Sequence, residues 1–166
     1  MKYLFKQRIL SWFDSYDIYD ENNNIAFIVK GELSLGHQLR IFDNNNQELG
    51  VLKEKIFTFL PKYYMYDSNG NKIGLIEKQL SLLKPKYKLT CNDWKVLGDF
   101  WSWNYSVNNS LNETIMTARR QLALNDQYTI DVPDEKNSLL CLMIVLAIDI
   151  DKERKREMAA SSNNNK

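Results

Sequence analysis

Histidine occurs once in this 166-residue chain, cysteine twice, proline three times and glycine six times, and each scarcity excludes something. With His37 as the only imidazole, a histidine-based metal cluster is excluded, and a His-dependent catalytic dyad has one residue to use. Cys91 lies in a polar, turn-like stretch and Cys141 in an apolar run, where a small buried thiol is expected, and the pair suits a reduced, cytoplasmic chain. Charge of one sign is lacking too: 22 Lys and Arg against 21 Asp and Glu leave a net +1, no global field for DNA, RNA or an anionic membrane. Nucleic acid is therefore not an expected partner, and any anion site has to be a local patch. Long apolar runs are missing: the longest, 139–150, is too short to cross a bilayer as a helix and closes on Asp149 and Asp151. Lys2, Lys6 and Arg8 interrupt the N-terminal stretch, so it lacks the apolar core of a secretion signal. The length suits one domain with a sizeable core, expected as a monomer.

What is present is a repeat. Sliding the chain by 24 positions lays Asp43 on Asp67, Gly50 on Gly74, Pro61 on Pro85, Lys62 on Lys86 and Tyr63 on Tyr87. Each unit starts with an Asp/Asn cluster, whose side chains cap tight turns and tolerate positive φ. An apolar residue and Gly follow, then an apolar strand, then Pro-Lys-Tyr opening a return strand. Gly within a strand marks a bulge or a close backbone approach, and Pro is confined to strand starts and edges. Gly98 falls another 24 residues on, and past it the apolar parity changes, as one extra residue there would cause. His37, Leu39 and Ile41, and likewise Tyr128, Ile130 and Val132, alternate with polar residues as half-buried strands do. The repeat thus predicts successive hairpins around one curved sheet, whose closure removes exposed edges.

One segment departs from this pattern. After Pro133, Asp134 offers an N-cap and the following residues are apolar with hardly a polar interruption. A helix apolar on every side has to be buried on every side, so an all-β shell around a helix over about 134–152 is expected. The polar residues 153–166 are predicted to fray from about Lys155 into a disordered tail, leaving 1–152 as the domain.

The segments VKGELSLGHQLRIFD, the two PKY units, WKVLGDFWSWNYSV and YTIDVPDEKNSLLCLMIVLAIDID together resemble the LURP-one-related family, which is similar in fold to the Tubby C-terminal domain and the phospholipid scramblases. The resemblance spans about residues 1–150 and implies a twelve-stranded closed antiparallel β-barrel enclosing a hydrophobic C-terminal helix. Asn replaces the glycines expected at two hairpin tips, and QLALNDQY lacks the Trp expected before the late strand. Tubby domains bind phosphoinositides through basic residues, but the resemblance carries none of those positions onto a particular residue here and so assigns no lipid-contacting residue.

Chemistry-bearing patterns are sparse. No nucleophile motif adjoins His37, whose parity with Leu39 and Ile41 predicts a packed or hydrogen-bonded residue, and the serines form no Gly-x-Ser-x-Gly elbow. The turns at Asp43 and Asp67 imitate the start of a calcium loop but lack its glycine, and the second also lacks its closing glutamate, so hairpin tips are expected and no metal or cofactor is. Basic residues offer the one candidate surface. Lys84, Lys86 and Lys88 alternate on one strand face, Lys62 holds the repeat position of Lys86, and Arg119 and Arg120 form a second pair. The expected function is a non-enzymatic binding or scaffold domain that meets an anionic phospholipid headgroup, peripherally at a membrane, or a protein partner on this surface. A scramblase-like lipid-active protein is the alternative of another class; it requires a membrane-inserting or exposable apolar segment. An enzyme acting on small molecules through carboxylates and lysines is a remoter third.

Overall fold

The computed structural model describes residues 1–6, 15–32, 34–82, 85–121 and 127–163. Among them, twelve strands form one closed antiparallel barrel: β1 (Lys2–Lys6), β2 (Ser15–Asp20), β3 (Ile25–Glu32), β4 (Gln38–Phe42), β5 (Glu48–Glu54), β6 (Lys62–Asp67), β7 (Lys72–Gln79), β8 (Lys86–Leu89), β9 (Lys95–Asp99), β10 (Asn104–Asn108), β11 (Thr114–Gln121) and β12 (Gln127–Asp131). Each pairs with its chain neighbours, and β12 closes onto β1 in register from Lys2 opposite Asp131 to Lys6 opposite Gln127. Alternating side chains such as Val29, Ile41, Leu52, Met65, Ile76 and Val107 point inward and are buried.

The repeated phrase builds hairpin tips. Asp20, Asp43, Asp67 and Asn109 each accept, on the side-chain oxygen, the backbone N–H groups two and four residues on, at 2.8–3.0 Å. The residue three positions on, Asn23, Asn46, Gly70 or Asn112, takes positive φ. Just beyond each tip the register slips by one residue, at Ala26, Leu49, Ile73 and Ile115, and these extra residues pack against the core. The bulge therefore falls on the residue before Gly50 and Gly74. Gly50 itself answers to a close approach, because a Cβ there would lie 2.4 Å from the Tyr66 carbonyl oxygen and 2.7 Å from Met143 Cε. At Gly98 the expectation fails: it lies unbroken in register opposite Tyr105, with φ +120, and the parity change comes instead from the turn 100–103, where the chain passes from β9 to β10.

Asp134 caps a short 3-10 turn, Glu135–Asn137, by accepting the Lys136 N–H, and α1 (Ser138–Asn163) follows. Residues 141–150 of α1 are buried, filling the barrel as their all-round apolar character requires. α1 does not fray near Lys155; it continues to Asn163, beyond the barrel, through Glu, Arg, Lys, Met and Ala, which all favour helix. α1 enters at the end bearing the hairpin tips and leaves at the opposite, exit end, where the β3–β4, β5–β6 and β7–β8 connections lie.

Candidate functional site

Strand alternation sets the outer face of β8. Lys86 and Lys88 are exposed while Tyr87 and Leu89 turn inward, and Lys84 lies outside the described residues. Lys62, Glu77, Lys88 and Lys95 stand opposite one another across β6, β7, β8 and β9. Lys62 is committed to Glu77 at 2.6 Å, which takes it out of the anion-binding set. Arg119 and Arg120 sit on β11, three strands from β8 and so about 14 Å around the wall. They line a separate depression of about 550 Å³ with Lys2 and Asp131. The basic residues singled out in the sequence are thus divided between two surfaces.

The β8 surface has a groove. β8 and β9 are aligned by the single pair Lys88–Lys95, so the wall opens along this seam into a cleft of about 660 Å³. Lys86, Lys88 and Lys95 line it above an apolar floor that includes Leu89, Val96 and Phe100, and Asp93 is the one carboxylate among its described lining residues. Among the described residues none of the three lysines has a carboxylate partner within ion-pair distance. Lys95 was not singled out in the sequence, because its neighbourhood depends on cross-strand register, which alternation along one strand does not reveal.

At the exit end, polar groups close around α1. Glu54 on β5 accepts from His37 and from Arg154 of α1, and the Arg154 guanidinium also lies 3.1 Å from His37 Nδ1. Burial alone would raise the Glu54 carboxyl; the hydrogen bonds from His37 and Arg154 outweigh it and hold it down at about 2. Asp151 accepts Lys78 Nζ at 2.6 and 2.8 Å and the Tyr87 hydroxyl at 2.6 Å. Lys152 donates to the Trp101 carbonyl and rests 3.8 Å from the centre of the Trp103 ring. Burial pushes the Asp149 carboxyl up to about 7 and the Lys152 ammonium down to about 7. Lys152, Arg154, Lys155 and Arg156 follow the apolar run, and this basic cluster is partly interior: Lys152 and Arg154 hold the shell to the helix. The sequence signal was present in Asp149 and Asp151, but there they read as the helix's polar boundary.

The polar groups at the exit end clamp α1 to the shell. His37 Nδ1 is engaged by Glu54 and Arg154. Among the described residues no group of three or more His, Cys, Asp and Glu could hold a metal ion. The Asp43 and Asp67 carboxylates are bonded within their own turns. Among the described residues no helix is long and apolar enough to cross a membrane.

Comparison with known proteins agrees with this architecture. A family model described as LURP-one-related matches residues 1–149. The uncharacterized protein YxjI of Bacillus subtilis (strain 168) is 25% identical over 146 residues, covering 87% of this chain and 90% of that protein. An X-ray structure of an Arabidopsis thaliana protein superposes with a TM-score of 0.62 at 14% identity, covering 90% of this chain and 91% of that one, which is a likeness of fold.

Proposed function

The chain belongs to the LURP-one-related family, and from that premise we propose that it is a non-enzymatic binding domain for an anionic, phosphate-bearing lipid headgroup, taken up in the groove over the β8–β9 seam. The observation that carries this reading is the convergence of Lys86, Lys88 and Lys95 on an apolar-floored cleft with Asp93 as the one carboxylate among its described lining residues. Ammonium groups on flexible stems suit a phosphate, and the apolar floor suits the part of an amphiphile next to its headgroup. α1 fills the interior, so a ligand meets the outside of the wall. The same burial weighs against a scramblase-like activity, since exposing α1 would empty the core. In a cell this reading places the domain peripherally on the cytoplasmic leaflet.

Flotation with vesicles tests the reading. The chain is expected to bind phosphatidylserine- or phosphoinositide-containing vesicles over phosphatidylcholine, with affinity falling as salt rises. Replacing Lys86, Lys88 and Lys95 together by Gln is expected to remove that selectivity. Unchanged binding in the triple variant would overturn the assignment of the groove.

A further inference from the structure

Large apolar side chains are unevenly distributed over the surface. Phe57 is fully exposed and Phe59 is 90% exposed in the β5–β6 connection, and Leu80 and Leu82 are exposed in the β7–β8 connection, with Leu35 in the β3–β4 connection beside them. These connections are neighbours at the exit end and form an arc on one flank of the emerging α1. At the opposite end, the exposed large apolar side chains among the described residues are Met1 and Leu111.

The Phe loop is held in this presentation. Phe57 has φ +56, the left-handed region in which a bulky residue is strained. Ile56 packs on Gly36, where a Cβ would come within 2.7 Å of its Cγ2. Lys55 N–H donates to the Lys62 carbonyl at 2.8 Å, and Lys78 N–H to the Pro61 carbonyl at 2.9 Å. The backbone is thus anchored while both rings face water.

Charge identifies the occupant. Around the arc, Glu32, Glu54, Glu77 and Asp151 are each paired with a cation. Among the described residues Lys55, Lys86 and Lys155 have no carboxylate partner within ion-pair distance, and the Lys155 ammonium rests 4.4 Å from the centre of the Trp101 ring. Separate apolar tips projecting past unpaired ammonium groups fit an anionic bilayer, whose phosphates meet the lysines while its acyl boundary receives the rings. A protein partner would meet a compact apolar patch better than tips spread over separate loops.

We propose that Phe57, Phe59, Leu80 and Leu82 enter the interface of an anionic bilayer, so that the domain docks obliquely on the β3–β8 flank of its exit end. The proposal rests on the lipid reading above and adds the inserting surface and the orientation. The seam groove opens toward this flank: Lys86 begins β8 at the exit end, and Lys88 stands two residues, about 7 Å, further up the wall.

The test uses the full chain with phosphatidylcholine vesicles, with and without phosphatidylserine and with acyl-brominated phosphatidylcholine. Phe57→Trp is expected to show added emission that brominated lipid quenches. The double variant F57S/F59S is expected to keep the parent melting temperature and to lose about tenfold or more in vesicle affinity. Unquenched F57W emission with F57S/F59S binding at parental strength would overturn the insertion and leave the headgroup groove standing. Binding that survives neutralisation of Lys86, Lys88 and Lys95 but is lost in F57S/F59S would support insertion and remove the groove. Failure of the parent to bind any vesicle would overturn both. A dimer of the parent that F57S/F59S dissolves, with vesicle binding unaltered, would assign the arc to a second copy instead.

Discussion

Asp67 and Gly50 show how much a single residue decides here. The Asp67 carboxylate organises its turn by accepting two backbone N–H groups, and Asp67→Ala is expected to lower the midpoint of denaturant unfolding. Gly50→Ala is a harsher change, because its methyl group meets the Tyr66 carbonyl at 2.4 Å, where backbone has to yield. A loss of about 1–3 kcal/mol is expected, and an unchanged unfolding midpoint would contradict the close approach. Titration gives a third test. Asp149 is raised from 3.8 to about 7, so the native state binds the extra proton and stability falls as pH rises from about 4 to about 7. Lys152 is lowered from 10.5 to about 7, so the unfolded state binds the extra proton and stability rises from about pH 7 towards 10. These two contributions place a dip in melting temperature near pH 7, and Asp149→Asn is expected to flatten its acid side. Glu54 acts lower: its stabilisation is complete above about 4.5 and is lost as pH falls towards 2. The turn residues were legible in the sequence because their requirements are local, whereas the bulges fall on Leu49 and Ile73 rather than on glycine, and Gly98 lies in unbroken register. The buried charges were not, since the burial of Asp149, Asp151 and Lys152 depends on where α1 leaves the barrel.

At the scale of elements, α1 carries two different helices in one. Its first part is core, and Leu142→Asp, which would bury a carboxylate among the apolar residues of the barrel, is expected to abolish cooperative unfolding. Its last part is exposed, held by helix propensity and by Arg154. A chain ending at 158 is expected to melt with the full-length protein. One ending at 152 loses the Arg154–Glu54 pair and is expected to be about 1–3 kcal/mol less stable. The apolar block was readable as a buried helix, but its continuation to Asn163 was not. Low-complexity polar composition signalled disorder, while the helix-forming residues within it had an existing helix to extend. Lys86 and Lys88 were legible as one face from alternation alone. Assigning Lys95 to that face and removing Lys62 from it required knowing which strands lie side by side.

For the molecule as a whole, closure leaves no free edge but does not make the wall uniform. The β8–β9 seam has one aligned pair, so strand amides there are expected to exchange with solvent earliest, and equal protection around the barrel would contradict that. Resemblance supplied the strand number, which the hairpin period by itself left open. α1 follows every strand in chain order, yet it fills the space all of them enclose. During synthesis the shell therefore emerges hollow, with β1 waiting for β12 and every inward side chain waiting for a helix still to be made. Stable folding is thus deferred until α1 has been translated, and a ribosome stalled before α1 would display a greasy, open sheet to the chaperones around it.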